Sequence, residues 1–423
     1  MRTSMLLSAG DRKIARWSFC LAFLIQIAAT FSIVSREGTQ YFYFENEQSR
    51  IAWSLATGHG FSSPWPNTPL LATAQQAPLY PWLLAAIFRI FGAYSSASVW
   101  ATAIMNAALS GLTSAWIYRT GVKHFDRATG LLATALWLSI ALSTRFREAI
   151  LSAFLVTLLL FLLPESDREP IPLSRWLALG GLAGAAMLCN TTMAAIFVPS
   201  LGCLWLRERR AGRNASLQLA IALAACGLIV LPWTARNYQQ FHRLIPIRDN
   251  LGLELWVGNH EGVTYICDYG YNFPADNAAE YNQLGEIRFF DDRGKVAGEF
   301  IRSHPRRFLR LSLQRVFYFW SAPAENIPAM MPLWASLSLL SAAGAVLAFW
   351  RRGLSALPHA LILLLFPLVY YVTHPLAIYR HPIEPVILLT GSFGLVSALR
   401  CVVPVWSDRF EQSSTPAAHS TNR

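Results

Sequence analysis

Residues 17–35 read Trp17-Ser-Phe-Cys-Leu-Ala-Phe-Leu-Ile-Gln-Ile-Ala-Ala-Thr-Phe-Ser-Ile-Val-Ser35, without a single charge. A helix of that length covers about 30 Å, the hydrocarbon thickness of a bilayer. Arg2, Arg12, Lys13 and Arg16 precede it. No convincing small-residue cleavage site follows, so the run is expected to remain as a signal anchor and first spanning helix. The rest of the chain agrees. Of 423 residues, 54% are hydrophobic and 14% charged, against about a quarter charged in soluble domains. That balance excludes a disordered chain and a series of ordinary soluble domains. It predicts an all-α polytopic membrane protein.

Further apolar runs lie at 97–118, 128–144, 149–164, 174–189, 191–206, 215–234, 330–350, 354–373 and 383–404. Two others, 77–92 and 308–322, contain Arg89 and the pair Arg310 and Arg315, and read as interfacial helices. Sidedness supports this division. With about 10 spans and the N-terminus inside, the short basic clusters Arg119/Lys123/Arg127, Arg207/Arg209/Arg210/Arg213 and Arg351/Arg352 all fall on the cytoplasmic side, as the positive-inside rule requires. Making 77–92 a span would move the first two clusters outside. The net charge of +11 is then an orientation signal rather than a mark of a nucleic-acid partner.

The expected organisation is a cytoplasmic N-terminus at 1–16 and a transmembrane module at 17–234 that includes a first outer loop at 36–96. A second long outer loop follows at 235–329, then C-terminal transmembrane helices at 330–406 and a cytoplasmic tail at 407–423. Two outward segments of that length, rich in aromatics, Gly and Pro, read as folded and functional. The six cysteines show no CxxC or Cys/His spacing, which speaks against a zinc site or a disulfide framework. No internal repeat of a transporter kind stands out.

In the first outer loop, Glu47, Arg50, Ile51, Ser54 and Leu55 recur at helical spacing before Gly58, so a short helix is expected to stop there. Glu47 and Arg50 would share a face. Read alone, the carboxylate fits two roles: a general base for an acceptor hydroxyl, or half of a surface ion pair at a helix start.

Three blocks in order resemble one family. The first is the acidic residue and its helix, then Ala52-x-x-Leu55-x-x-Gly58-x-Gly60-Phe61, Pro78-Leu79-Tyr80-Pro81 and Phe91-Gly92. The second is Leu231-Pro232-Trp233-Thr-Ala-Arg236-Asn237-Tyr238, with Ile245-Pro246, Gly252 and Leu255-Trp256-Val-Gly258-Asn259. The third is Ile378-Tyr379-Arg380-His381-Pro382-Ile-Glu-Pro385. Together they resemble the bacterial family-39 type glycosyltransferases of the GT-C fold, relatives of the protein O-mannosyltransferases and the lipid A aminoarabinose transferase. The resemblance implies a bacterial inner-membrane enzyme whose site faces outward. It implies a polyprenyl-phosphate-linked sugar donor, a glycan, lipid or protein acceptor, and membrane lipids as surroundings. Aligned on the motif's Arg, Glu47 takes the place of the family's catalytic base, with Glu45 as the alternative and Glu148 of the second outer turn as a weaker acidic candidate.

The donor's leaving group would be a phosphate, which Arg binds bidentately. Arg236, Arg380 and His381 are the candidates, with Arg147 a weaker one. Arg at a span end also snorkels to lipid phosphates, and the family-like motifs favour the binding role. The aminoarabinose transferase type carries a metal-binding Glu and a phosphate-binding Lys before its Leu-Tyr; Gln75 and Gln76 stand near that place here. No cofactor is therefore expected, no metal ligand is assigned from this stretch, and a divalent metal is left open. Tyr265, Tyr269, Tyr271, Phe273 and Tyr281 of the second long loop suit either sugar stacking or an interfacial cap. The rival readings are a polymerase or ligase of lipid-linked glycans, and a flippase or transporter of lipid-linked sugar. The near absence of charge inside the runs speaks against the last.

Overall fold

The computed structural model describes residues 8–42, 47–62, 65, 68–140, 147–165, 169–266, 275–321 and 330–402. Among the described residues the protein is helical without a strand; one isolated bridge joins Ser62 and Ala72. Glu45, Tyr269, Tyr271 and Phe273 lie outside the described residues.

Helix α1 (Ala9–Glu37) starts where the Ser8 side chain accepts the Asp11 N–H and ends at Gly38 with φ 78°, the conformation glycine adopts at least cost. After α2 (Glu47–Ala56) and α3 (Leu79–Phe91), α4 (Ser96–His124) packs antiparallel to α1. Phe31 meets Trp100 at 6.4 Å near one end, and Tyr118 donates to Asp11 at 2.6 Å at the other. Helices α5 (Arg127–Ile140), α6 (Ala149–Leu162), α7 (Leu173–Cys189), α8 (Ala194–Arg210) and α9 (Ser216–Phe241) continue the bundle. The second long loop carries α10 (Leu251–Gly258), α11 (Ala275–Leu284), α12 (Glu286–Ser303) and α13 (Pro305–Ser321). Helices α14 (Met331–Arg352), α15 (Leu357–Leu365), α16 (Leu368–Val372) and α17 (Glu384–Val402) complete the chain.

Polar contacts sort into two ends. At the Asp11 end, Arg127 lies 3.6 Å from Asp11 and Arg400 lies 2.8 Å from Asp126. There Lys123 donates to the Phe161 and Leu163 carbonyls, Arg352 to those of His124 and Glu165, and Arg207 to that of Glu169. At the Glu47 end, Gln48 donates to Glu148 (2.5 Å), Arg236 to the Thr73 carbonyl (2.7 Å) and Asn259 to the Val372 carbonyl (2.8 Å). The connections expected on one side thus meet at one end, and both long loops meet at the other. At the crossing of α14 and α17, a Cβ on Gly344 would lie 1.9 Å from the Thr390 carbonyl oxygen, so only glycine permits this backbone approach.

Among the described residues, four stretches are long and apolar enough to cross a membrane: Ala9–Glu37, Ser216–Phe241, Met331–Ser355 and Ala377–Cys401. Leu79–Phe91, Arg127–Ile140, Ala149–Leu162, Leu173–Cys189 and Leu357–Val372 are apolar but shorter. Helix α4 has the length, but it buries Ser98, Thr102, Asn106, Ser110, Thr113, Ser114 and Thr120 between its neighbours. Its polar positions face the bundle, which lowers its mean hydropathy without exposing polarity to lipid.

The two doubtful segments are helices at the Glu47 end. Helix α3, 13 residues long, exposes Trp82, Ile90 and Phe91. Helix α13 exposes Leu309, Leu313 and Phe317 and buries Leu311, Arg315 and Phe319. Arg315 therefore belongs to the covered face. It donates to the carbonyls of Ile266 (3.0 Å), Gly258 and Val372 (3.2 Å), and so ties the long loop to the end of α16.

Candidate active site

Helix α2 presents Glu47 at its first position and buries Gln48, Ser49, Ile51, Ala52 and Ser54. Ile51 sits in an apolar cluster with Phe61, Ala77, Leu188, Trp233 and Ile247, which fixes the helix between the bundle and the second long loop. Gly58, with φ 88°, turns the chain after α2, as the sequence predicts. Arg50 is not the partner of Glu47. Its guanidinium donates to the Trp65 carbonyl at 2.9 Å, so the surface ion pair anticipated from spacing does not form.

Glu47 instead accepts a hydrogen bond from the Gln76 amide. Burial pushes its carboxyl up to about 7, and the Glu254 charge adds to this; Arg248, the Gln76 hydrogen bond and Arg147 act in the other direction. A carboxyl with that proton affinity holds and releases protons near neutral pH, as a general base should. Its sequence neighbour Gln48 carries Glu148 on its amide at 2.5 Å. Glu47, Glu148 and Arg147 thus converge, although Glu148 and Arg147 come from a turn a hundred residues away.

Three further groups belong to this cluster and were not singled out from the sequence. Arg248 donates to the Gln75 carbonyl at 2.6 Å and lies 3.7 Å from Glu254. Glu254 accepts from Asn250 at 2.6 Å and lies 3.7 Å from His374. Burial pushes the His374 imidazole down, while Glu254 acts against that. Tyr379 completes the wall, 5.7 Å from the His374 ring and stacked on Tyr370 at 5.0 Å. Only the flanking motif residues Gly252, Leu255 and Gly258 hinted at Arg248 and Glu254, and nothing local marked His374.

Three donor-phosphate candidates are engaged elsewhere. Arg236 donates to the carbonyls of Thr73 (2.7 Å) and Phe61 (2.8 Å) and stacks over Trp233, 4.9 Å from its ring centre. It ties the first outer loop to the end of α9. The neighbouring motif residues do related work: Trp233 donates to the Ile247 carbonyl, and Asn237 to those of Ile245 and Ile247. Arg380 is 1% exposed, donates to the Phe319 carbonyl at 3.1 Å and lies over Trp334. His381 lies 2.6 Å from Glu384 and stacks on Trp137. Arg380 and His381 thus point into the helices behind Tyr379 rather than beside Glu47. Tyr281 is a core residue as well; it donates to Glu286 at 2.9 Å and packs among Trp65, Phe289 and Phe290. Gly258, of the family-like Gly-Asn pair, is a joint. A Cβ there would lie 1.8 Å from the Thr373 carbonyl oxygen.

Among the described residues, no group of three or more His, Cys, Asp and Glu side chains is placed to hold a metal ion. Gln76 is bonded to Glu47.

A family model described as dolichyl-phosphate-mannose-protein mannosyltransferase matches residues 75–235. No curated protein matches the sequence. Among solved structures, the oligosaccharyltransferase of Archaeoglobus fulgidus in its apo form matches with a TM-score of 0.58 at 15% identity, covering 97% of this chain and 53% of that one. The archaeal oligosaccharyltransferase AglB from the same organism, in complex with an inhibitory peptide and a dolichol-phosphate, matches with a TM-score of 0.53 at 14% identity. That match covers 98% of this chain and 53% of the other. The chain spans about half the length of these proteins. The likeness shows the fold, which is of the GT-C type.

Proposed function

We propose that the protein is an inverting membrane glycosyltransferase. It takes a sugar from a polyprenyl-phosphate-linked donor and places it on a glycan, lipid or protein acceptor. The observation that carries this reading is Glu47. A carboxyl poised at about 7 stands beside Arg248, Arg147 and Glu148 at one end of a GT-C-type bundle. On this reading the acceptor O–H attacks the anomeric carbon, the bond from that carbon to the phosphate oxygen breaks, and its electron pair leaves with the phosphate. Glu47 takes the acceptor proton. Arg248 and Arg147 stabilise the leaving phosphate, a role that replaces the one expected for Arg236. Arg380 and His381 support the wall that holds Tyr379.

On this reading about ten helical passages cross the bilayer, with α3 and α13 at the interface. The Asp11 end then faces the cytoplasm of a bacterial cell and the Glu47 end faces outward. The basic short connections support that orientation. The likeness to oligosaccharyltransferases supports a second reading, transfer of a pre-assembled glycan. Purified protein in lipid nanodiscs, offered either a polyprenyl-phosphate monosaccharide or a pyrophosphate-linked oligosaccharide, separates the two. With the accepted donor, Glu47→Gln is expected to lower turnover by about 10²–10⁴-fold while donor binding persists. Normal turnover by this variant would remove Glu47 as the base.

A further inference from the structure

The segment Thr73-Ala74-Gln75-Gln76 is held at every residue by groups from elsewhere in the chain. The Thr73 carbonyl accepts from Arg236, and the Thr73 hydroxyl donates to Glu286 at 2.5 Å. The Ala74 N–H donates to the other Glu286 oxygen at 2.6 Å, and the Ala74 carbonyl accepts the Asp249 N–H at 3.3 Å. The Gln75 carbonyl accepts from Arg248 at 2.6 Å, and the Gln76 amide ends on Glu47. Glu286 is itself 6% exposed, on the first residue of α12, and also accepts from Tyr281. Among the described residues it is the one side chain that takes two bonds from this segment.

We propose that Glu286 is a positioning residue: by gripping Thr73 and Ala74 it sets the path of the segment that delivers the Gln76 amide to Glu47. This rests on the reading of Glu47 as the base, and extends that reading to a residue far from it in the chain. A hydrogen bond to the ionised form favours ionisation. Releasing the segment therefore removes the Gln76 contribution and raises the proton affinity of Glu47. The groups facing Glu47 are Glu254, Arg248, Arg147, Gln76 and Tyr379. Those facing Glu286 are Asp249, Arg236 and Tyr281. Burial raises Glu286, and its bonds from Ala74, Thr73 and Tyr281 act against that. Three donors, the Ala74 N–H and the Thr73 and Tyr281 hydroxyls, end on the two carboxylate oxygens of Glu286; an amide in its place offers one accepting oxygen, so Glu286→Gln loosens the grip.

The test reads Glu47 without turnover. A hydrophobic carbodiimide adds to a carboxyl in its protonated form, and peptide mass spectrometry reports the labelled Glu47 across a pH series on the full-length protein in detergent. The wild-type chain is expected to lose half its labelling near pH 7, in line with the burial of Glu47. Gln76→Leu, Glu286→Gln and Thr73→Val are each expected to move that midpoint up, by roughly one pH unit where the whole bond is lost. Gln76→Leu combined with Glu286→Gln should move it no further than Gln76→Leu alone. Thr73→Val removes one hydroxyl and keeps the test open if Glu286→Gln does not fold. An unmoved midpoint in Gln76→Leu, or a shift there with none in Thr73→Val and Glu286→Gln, overturns the proposal. The base reading fails separately, if Glu47→Gln still turns over while the midpoints shift as expected.

Discussion

Asp11 and Glu47 are carboxylates near opposite ends of the bundle, and their environments drive them in opposite directions. Burial pushes Asp11 up, but the Ser8 and Tyr118 hydroxyls and the Arg127 charge outweigh it, and the net shift is down. Glu47 also feels burial first; its nearest donor is the neutral Gln76 amide, and Glu254 adds a like charge, so the net shift is up, to about 7. The neighbouring charges follow the same division. At the Asp11 end, Arg127, Arg207, Arg213 and Arg400 each lie against a carboxylate, and Lys123 and Arg352 cap carbonyls. That end is locked by charge pairing. The Glu47 end places carboxylates near one another, a costly arrangement typical of sites that move protons.

The contrast breaks most sharply at Arg248. Arg248→Ala should lower turnover by roughly 10²-fold or more, the scale of losing one preorganised donor to a developing negative charge. It should also move the acid limb of the pH–rate profile up, because Arg248 lowers the proton affinity of Glu47. A rate and limb like those of the wild-type chain would take Arg248 out of the site. A smaller, opposite shift is expected from Glu254→Gln. Glu254 raises Glu47; without that charge Glu47 is ionised at lower pH, so the limb should move below about 7. The ratio of the rate at pH 6 to that at pH 8 should rise, and a fall would contradict the assignment. Asp11→Asn should have the smallest effect, leaving turnover intact and lowering stability by about 1 kcal/mol at neutral pH. Because Asp11 is depressed in the folded state, its contribution is present above its unfolded value of 3.8 and fades as pH falls through the folded one. The melting temperatures of the two proteins should therefore converge in acid.

Much of this arrangement was legible in the sequence because its causes are local. Uncharged runs such as 17–35 announce helices through length and composition. The position of Glu47 ahead of Ile51, Ser54 and Gly58 announced both α2 and a carboxylate at its start. Arg236 and Arg380 were visible as motif residues, but their direction was not. Whether an arginine meets a ligand or a loop carbonyl depends on which backbone groups the fold leaves without a partner. Phe61, Thr73 and Phe319 supply those carbonyls from distant segments. Arg248, Glu254 and His374 escaped notice for the same reason. Each is isolated in sequence, and only the docking of α10 beside the end of α16 brings them together.

By itself the sequence determined a helical membrane chain, the order of its apolar runs, and a carboxylate at the start of the short helix that follows the first of them. These follow from hydrophobicity and helix geometry, which act over a few turns. The tertiary structure decided which charges are neutralised and which confront each other. Electrostatic character depends on distance and burial, and those are set by residues as remote in the chain as Glu47 and Glu254, or Thr73 and Glu286.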